Sequence, residues 1–421
     1  MGRLIKLSKR LVASGAMLAG GSVLAQGLFS HTAQAAAGDP DCASLPGVVY
    51  VSGSTAVQPV LQGLSKSLTP TVSIVYASAG SCAGVAAILG TPLAAGGPAT
   101  YWDSTGAAKT CNLPAAPQLV DVGVSDVFAT SCPTVTAAQL TTAKVRDYDT
   151  FLAQVMEFVV PGGDGGSDQT AISAEAAYLT FGLGNNGATP WDNQALFAIR
   201  NNTSGTQIML AKAIGLDVNK WLGVNDGGSG NVQAHITNRV IPNGTLAGGG
   251  AADPKKLIGI LSSGEADKDP VKIKKLAFQG TGQTCAYWAD SGVSALDKKY
   301  VRDGHYPVWG PLHVLAKADD QGVPTSAAAK ALIDAFSATT TDLLDIEINA
   351  NVVPLCAMNV TRDSEVGPMS SIQPAGSCGC YFDSKRAATL PAECKACTTA
   401  NAATVCTGAR TKCNFGFCEV K

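Results

Sequence analysis

The sequence has little charge, few aromatic side chains and few histidines. Charged residues make up 15% of its 421 residues and aromatic residues 6%. The 30 lysines and arginines are balanced by 32 aspartates and glutamates, so the basic excess of a nucleic-acid-binding protein is missing. Of the 4 histidines, none stands in the His-Glu-x-x-His spacing of a zinc protease. We therefore expect no nucleic-acid partner and no histidine metal site.

The common catalytic motifs are missing as well. No Gly-x-Ser-x-Gly elbow occurs beside a plausible triad. Ser54 or Thr55 could be the nucleophile for a phosphate ester, but no general base is evident for either. His305 and His313 lie in or next to a strand-like segment, where a structural role is the simpler interpretation. The sequence predicts no enzyme, no catalytic residue and no cofactor.

The N-terminal segment has the pattern of an export signal. Four basic residues lie within the first ten, a moderately apolar stretch covers 11–28, and small residues at 33–37 offer a cleavage site. An amphipathic helix or a membrane anchor is the alternative. No cysteine follows closely enough for lipid attachment, and no later segment is apolar enough to cross a membrane. We predict a signal peptide at 1–37 and a periplasmic or secreted protein.

All 13 cysteines follow that segment, and many crowd into a C-terminal tail with little apolar periodicity. In an exported chain such cysteines predict disulfides, whose pairing the sequence does not give. Zinc is the alternative for Cys378-x-Cys380 and Cys394-x-x-Cys397. Because 13 is odd, at least one thiol is free or pairs with another molecule.

The order strand, polar turn, helix recurs along the chain. It covers residues 48–68, 72–89 and 196–214, and a fourth strand at 119–124 ends at Ser125-Asp126. The alternation predicts an α/β fold with a largely parallel sheet and a ligand beyond the carboxyl ends of the strands. Segments 90–117, 162–167 and 227–230 read as surface excursions or flexible loops.

The polar turns carry hydrogen-bond donors that suit an anion. The donors are Arg200 and the hydroxyls of Thr55, Ser81, Ser204 and Thr206, with Gly205 allowing close backbone approach. Asp126 is the exception, because a carboxylate repels an anion unless that anion shares a proton. Phosphate carries such a proton at neutral pH and sulfate does not. For each turn taken alone, helix capping is the alternative.

These turns resemble the ligand segments of the phosphate-binding proteins of ABC importers. The matching segments are Gly53-Ser-Thr55-Ala, Gly80-Ser81-Cys-Ala-Gly84-Val, Asp121-Val-Gly-Val-Ser125-Asp126 and Arg200-Asn-Asn-Thr-Ser204-Gly205-Thr206. Cys82 and Ala83 depart from the Ser and Gly of the family, and the cysteine-rich tail is not part of its pattern.

The resemblance implies a two-lobed periplasmic-binding-protein type II fold that closes on phosphate. Lobe 1 would comprise 38–130 and 305–350 and carry Thr55, Ser81 and Asp126. Lobe 2 would comprise 131–304 and carry Arg200, Ser204, Gly205 and Thr206. Residues 351–421 would form a small disulfide-rich tail.

The implied function is an exported solute-binding protein that captures inorganic phosphate and delivers it to the permease of an ABC importer. Two alternatives stay open. The same module could bind another protonatable oxyanion such as arsenate, or it could serve as an envelope-associated structural protein with the tail as its attachment element.

Overall fold

The computed structural model describes residues 38–78, 80–148, 152–239, 253–337 and 340–420, so the predicted signal peptide at 1–37 lies outside the described residues. Its strands are β1 (Val48–Gly53), β2 (Ser73–Ser78), β3 (Pro98–Trp102), β4 (Ala108–Asn112), β5 (Val122–Ser125), β6 (Val145–Asp147), β7 (Leu152–Pro161), β8 (Ala171–Ser173), β9 (Phe197–Ile199), β10 (Val224–Asn225), β11 (Ile258–Ser262), β12 (Ile273–Lys275), β13 (Ala277–Gln279), β14 (Trp309–Pro311), β15 (His313–Lys317), β16 (Val353–Pro354), β17 (Val360–Thr361), β18 (Ser370–Ser371), β19 (Lys412–Asn414) and β20 (Phe417–Glu419).

The helices are α1 (Gln58–Leu68), α2 (Ser81–Ile88), α3 (Ala137–Thr142), α4 (Ala174–Leu183), α5 (Gly205–Ile214), α6 (Ser229–Asn238), α7 (Ser263–Ala266), α8 (Lys299–Arg302), α9 (Ala327–Phe336), α10 (Thr341–Asn349), α11 (Gly379–Arg386) and α12 (Ala402–Val405). In the described ranges, none of these helices has the length and apolar character needed to cross a bilayer.

The first large sheet has seven strands in the order β4-β3-β2-β1-β5-β15-β6. Strands β1, β2 and β5 run parallel, while β15 is antiparallel to both β5 and β6. Helix α1 covers this sheet and buries Val60, Leu61 and Leu64, the stripe that a 3.6-residue period predicts. Strand β15 returns to this sheet late in the chain, between strands β14 and β16 of the second sheet.

The second large sheet also has seven strands. Its main order is β10-β9-β11-β7-β12, and β14 and β16 pair with β7. Strand β7 is buried along its whole length, and its pairs with β11, β12, β14 and β16 are all antiparallel. The predicted α/β class is confirmed. The predicted largely parallel sheet is wrong, because strands β7 and β15 run against their neighbours and make both sheets mixed.

The lobe boundaries stay a prediction. Strand β6, at 145–147, lies in the first sheet although the predicted first lobe ends at 130. Strand β14, at 309–311, pairs with β7 of the second sheet although the first lobe was predicted to resume at 305.

The excursion at 90–117 is more ordered than its composition indicates. Strands β3 and β4 form a hairpin that extends the first sheet beyond β2. A disulfide between Cys111 on β4 and Cys42 fastens the hairpin to the start of the described chain. The cross-link and the sheet edge supply order that a segment rich in Ala, Gly and Pro does not encode locally.

The C-terminal tail is cross-linked, as predicted. Its disulfides are Cys356–Cys378, Cys380–Cys394, Cys397–Cys413 and Cys406–Cys418. Cys82–Cys132 joins the start of helix α2 to the segment after β5, and among the described cysteines Cys285 is unpaired and exposed. The sulfurs of Cys397, Cys406 and Cys418 lie within 4.8 Å of one another, and each belongs to a disulfide. Tyr381 and Phe382 of α11 pack into the main core, so the tail also has an apolar attachment.

Candidate anion-binding cleft

Five polar turns follow the carboxyl ends of strands β1, β2, β5, β9 and β10. They lead to Thr55, Ser81, Asp126, Arg200 and Ser229, respectively. The first turn requires glycine, because a Cβ on Gly53 would lie 1.9 Å from the carbonyl oxygen of Val124, and Gly53 has a φ of +139°. Helices α2, α5 and α6 begin at three of these turns, so their positive N-terminal ends lie at the carboxyl ends of the strands.

Asp126 is buried, with 2% of its surface exposed. Its Oδ2 accepts hydrogen bonds from Ser54 Oγ at 2.5 Å and from Ser81 Oγ at 3.3 Å. Its Oδ1 is buried and has no hydrogen-bond partner among the described residues. Burial raises the pKa of Asp126, although the two serine hydrogen bonds and the charge of Arg200 act in the opposite direction.

Arg200 is buried to a similar degree, with 3% exposed. Its Nε donates to the carbonyl of Gly227 at 2.7 Å, and its Nη1 donates to Ser229 Oγ at 2.5 Å. Its backbone N–H donates to Gln207 Oε1 at 2.9 Å. Burial lowers the pKa of Arg200, and nearby carboxylates, that of Asp126 first, raise it. The guanidinium is thus fixed by neutral acceptors.

The turns of the two sheets touch each other here. Cys82 N donates to the carbonyl of Thr203 at 3.0 Å, and Thr55 Oγ1 lies 2.9 Å from Ser229 Oγ. A Cβ on Gly205 would lie 2.3 Å from Ser81 Oγ and 2.9 Å from Asp126 Cβ. Residue 205 must therefore be glycine for the two turns to come this close.

Ser204 and Thr206, at the start of α5, are also buried, with 1% and 2% exposed. Ser204 occupies the N-cap position, yet its side chain makes no capping hydrogen bond. The Ser81 hydroxyl bonds Asp126 and does not cap α2, whose N-cap is Gly80. The capping alternative applies to Ser54, whose Oγ accepts from Ala56 N at 3.1 Å.

The structure brings the turns that carry the seven predicted site residues to one junction. Ser81, Asp126 and Gly205 are in contact, and Thr55 reaches Arg200 through Ser229. Their role as phosphate ligands stays a prediction, since the geometry alone does not name the ligand.

Sequence reasoning missed Ser54, Ser229 and Gly227. Ser54 lies inside the Gly53-Ser-Thr55 motif and could have been included. The predicted loop at 227–230 is a loop at 227–228, which link β10 to α6, whereas Ser229 and Gly230 already belong to α6. The segment therefore repeats the order of strand, turn and helix. Strand β10 has only two residues, too few to give a periodic signal.

The three histidines among the described residues pair with carboxylates. His235 Nδ1 lies 2.9 Å from Asp226 Oδ2, and both side chains are fully buried. His313 Nδ1 lies 2.5 Å from Asp147 Oδ2, and its ring packs on Phe128 at a centroid distance of 4.3 Å. His305 is exposed and pairs with Asp303. None of these pairs includes a predicted site residue.

No protein-family model and no curated protein matches this chain. Solved structures give distant matches. A putative phosphate ABC transporter substrate-binding protein with bound phosphate from Clostridium perfringens is 15% identical, with a TM-score of 0.49 over 73% of this chain and 99% of that one. The phosphate-binding protein from Stenotrophomonas maltophilia is 14% identical, with a TM-score of 0.40 over 73% and 90%. The OxyR regulatory domain from Pseudomonas aeruginosa is 8% identical, with a TM-score of 0.36 over 70% and 96%. These values are too low to establish a family.

Proposed function

We propose that this protein is an exported solute-binding protein that captures inorganic phosphate between its two sheets and delivers it to an ABC importer. The observation that carries the proposal is that one cleft holds both hydrogen-bond donors for an anion and a buried carboxylate. Arg200, three helix N-termini and several hydroxyls favour an anion, while buried Asp126 has one oxygen with no partner in the described part of the chain. Phosphate suits both, because it accepts hydrogen bonds on most sides and can donate one.

Selectivity follows from Asp126. Its Oδ2 is occupied by Ser54 and Ser81, so Oδ1 is the atom left to meet the ligand. A protonated phosphate oxygen can donate to Oδ1, whereas sulfate would place two unprotonated oxygens together in a buried site. A site built around a required hydrogen bond can reject the analogue lacking it by roughly 10⁴-fold.

The proposed export rests on the disulfides and on the predicted signal peptide. Six disulfides are typical of proteins folded outside the cytoplasm, as the predicted signal peptide requires. The membrane permease is the partner that such a captured anion needs. Catalysis is not part of the proposal.

Calorimetry and thermal unfolding of the full chain with phosphate, arsenate and sulfate test the proposal. We expect phosphate to bind and to raise the unfolding temperature, since a ligand at 100 times its Kd stabilises the folded state by about 2.7 kcal/mol. Sulfate should neither stabilise the protein nor displace phosphate. Equal affinities for sulfate and phosphate would contradict the proposal, and a clear preference for arsenate would reassign the ligand while keeping the site.

A further inference from the structure

Ser229 joins the two sides of the cleft. Its Oγ lies 2.5 Å from Arg200 Nη1 and 2.9 Å from Thr55 Oγ1. Only 2% of its surface is exposed, while Thr55 is partly exposed. The first contact lies within the second sheet's side of the cleft, and the second contact crosses to the turn after β1.

This hydroxyl does not cap its own helix. Ser229 is the first residue of α6, whose N-cap is Gly228, and no side chain caps that helix start. The two side-chain contacts of Ser229 are therefore the whole of its hydrogen bonding through Oγ among the described residues.

The direction of each bond follows from the donor inventory. A guanidinium only donates, so Ser229 Oγ accepts from Arg200. The single hydrogen of Ser229 then needs an acceptor, because a buried hydroxyl proton without one is costly. Thr55 Oγ1 is the acceptor within reach. Thr55 in turn keeps its own hydrogen for another acceptor on its exposed side.

We propose that Ser229 is a positioning residue for anion binding, holding the Arg200 guanidinium and turning the Thr55 hydroxyl so that it donates to the tetrahedral anion. This inference rests on the proposed function. It adds the turn after β10 to the binding machinery, with an action on the anion that runs through two other side chains.

The test uses a matched pair at one position. Ser229→Thr and Ser229→Val have nearly the same shape and differ in the hydroxyl, and Ser229→Ala serves as the minimal truncation. We expect Ser229→Val and Ser229→Ala to weaken inorganic phosphate binding about tenfold in calorimetry, the size of one lost charge-assisted bond. Ser229→Thr should recover most of that loss.

A double-mutant cycle separates positioning from independent contact. If Ser229 acts partly through Thr55, then Thr55→Val combined with Ser229→Val should lose less affinity than the sum of the two single losses, the remainder being the action through Arg200. A purely structural role predicts a lower unfolding temperature without phosphate and an unchanged Kd. Unchanged Kd in Ser229→Val, or additive losses in the double variant, would overturn the inference. Should the unmodified protein bind no phosphate, arsenate or sulfate, the proposed function itself would fail. Should Ser229→Ala not fold, the Thr and Val pair still decides.

Discussion

Two of the regions that bury charge in the described part of this protein differ in whether a buried polar atom lacks a hydrogen-bond partner. In the ion cluster of Asp267, Lys275, Asp290 and Lys298, each lysine bonds both aspartates at 2.5–2.8 Å. In the cleft, Asp126 and Arg200 are buried to a similar extent, yet each is held by neutral groups and Asp126 Oδ1 has no partner among the described residues. Among these four cluster side chains every carboxylate oxygen is bonded, which separates them from Asp126. The neighbouring Glu157 also has a buried oxygen without a partner among the described residues, so an unused oxygen indicates a binding site only where it lies in a cleft.

The pKa shifts report the same contrast. In the ion cluster, burial would raise the pKa of Asp267, but Lys298 and Lys275 lower it below its ordinary value. Burial would likewise lower the pKa of Lys275, and the surrounding carboxylates raise it. In the cleft, burial prevails over the neighbours, raising the pKa of Asp126 and lowering that of Arg200. The cleft therefore holds charges that an incoming ligand can still stabilise.

The largest effect is expected for Asp126→Asn. The new amide can keep an oxygen toward Ser54 and Ser81 and place an N–H donor where Oδ1 was. Sulfate then meets a donor, so the phosphate-to-sulfate affinity ratio should collapse from roughly 10⁴ toward unity. Competition calorimetry measures the ratio.

Asp168→Asn is the matched control, because Asp168 is an exposed carboxylate paired with Lys255. It should leave the ratio unchanged. If Asp126→Asn keeps the full preference for phosphate, Asp126 is not the selectivity residue and the contrast between the two regions loses its functional meaning.

The ion cluster should respond in stability. Lys298→Met removes one of two lysines from a site whose side chains are at most 3% exposed. Breaking a buried ion pair leaves an uncompensated charge and costs about 3–5 kcal/mol. Denaturant unfolding should show that loss, while the Kd for phosphate stays within error. Lys255→Met, at a surface pair, should cause no measurable loss. A change in Kd without a change in stability would reverse the assignment of the two regions.

How far the sequence predicted these regions depends on the range of the interactions. The cleft residues Asp126 and Arg200 were predictable because a strand, a polar turn and a helix are local patterns. Ser229 was missed because Gly-Gly-Ser-Gly suggests a loop, and its meaning depends on Arg200, which lies 29 residues earlier. The ion cluster could not be predicted, since the sequence around Lys275 and Lys298 is typical of surface lysines and their burial depends on contacts made only in the folded chain.

Strand direction and disulfide pairing were equally out of reach. The pattern of β7 indicates a buried strand, but its own residues do not predict that β11 and β14 lie antiparallel to it. The β3–β4 hairpin places Cys111 next to Cys42, and the sequence predicted that segment only as a surface excursion.

The pH dependence of sulfate binding is the third test of the contrast. Burial raises the pKa of Asp126, and the protonated carboxyl can donate to sulfate. Sulfate affinity should therefore fall by up to about tenfold per unit as the pH rises above that pKa, because one proton is taken up on binding. Phosphate, which carries its own proton, should show a weaker dependence.

The same shift makes the unliganded protein lose stability as the pH rises from the pKa of an unfolded aspartate to the raised value. In Asp126→Asn the pH dependence of sulfate binding should disappear. The loss of stability should become smaller but persist, because burial also raises the pKa of Glu157 to about 7 and that of Glu347 to about 8. Sulfate binding that is flat with pH in the unmodified protein would mean that Asp126 does not titrate in contact with the anion.

The smallest effect is expected at Glu365, a buried carboxylate beside the cleft whose oxygens are both occupied. Oε1 accepts from Phe128 N at 2.5 Å, and Oε2 accepts from Ser131 Oγ and pairs with Lys212 Nζ, each at 3.0 Å. This tail residue thus ties the loop after Asp126 to helix α5 and resembles the ion cluster more than the cleft. Glu365→Gln should lower the free energy of unfolding by about 1–3 kcal/mol and leave the phosphate-to-sulfate ratio unchanged, since one accepting oxygen becomes an N–H donor that faces another donor and no ligand contact is lost. If that ratio falls as it does in Asp126→Asn, satisfied hydrogen bonding is not what distinguishes a structural carboxylate from a binding one.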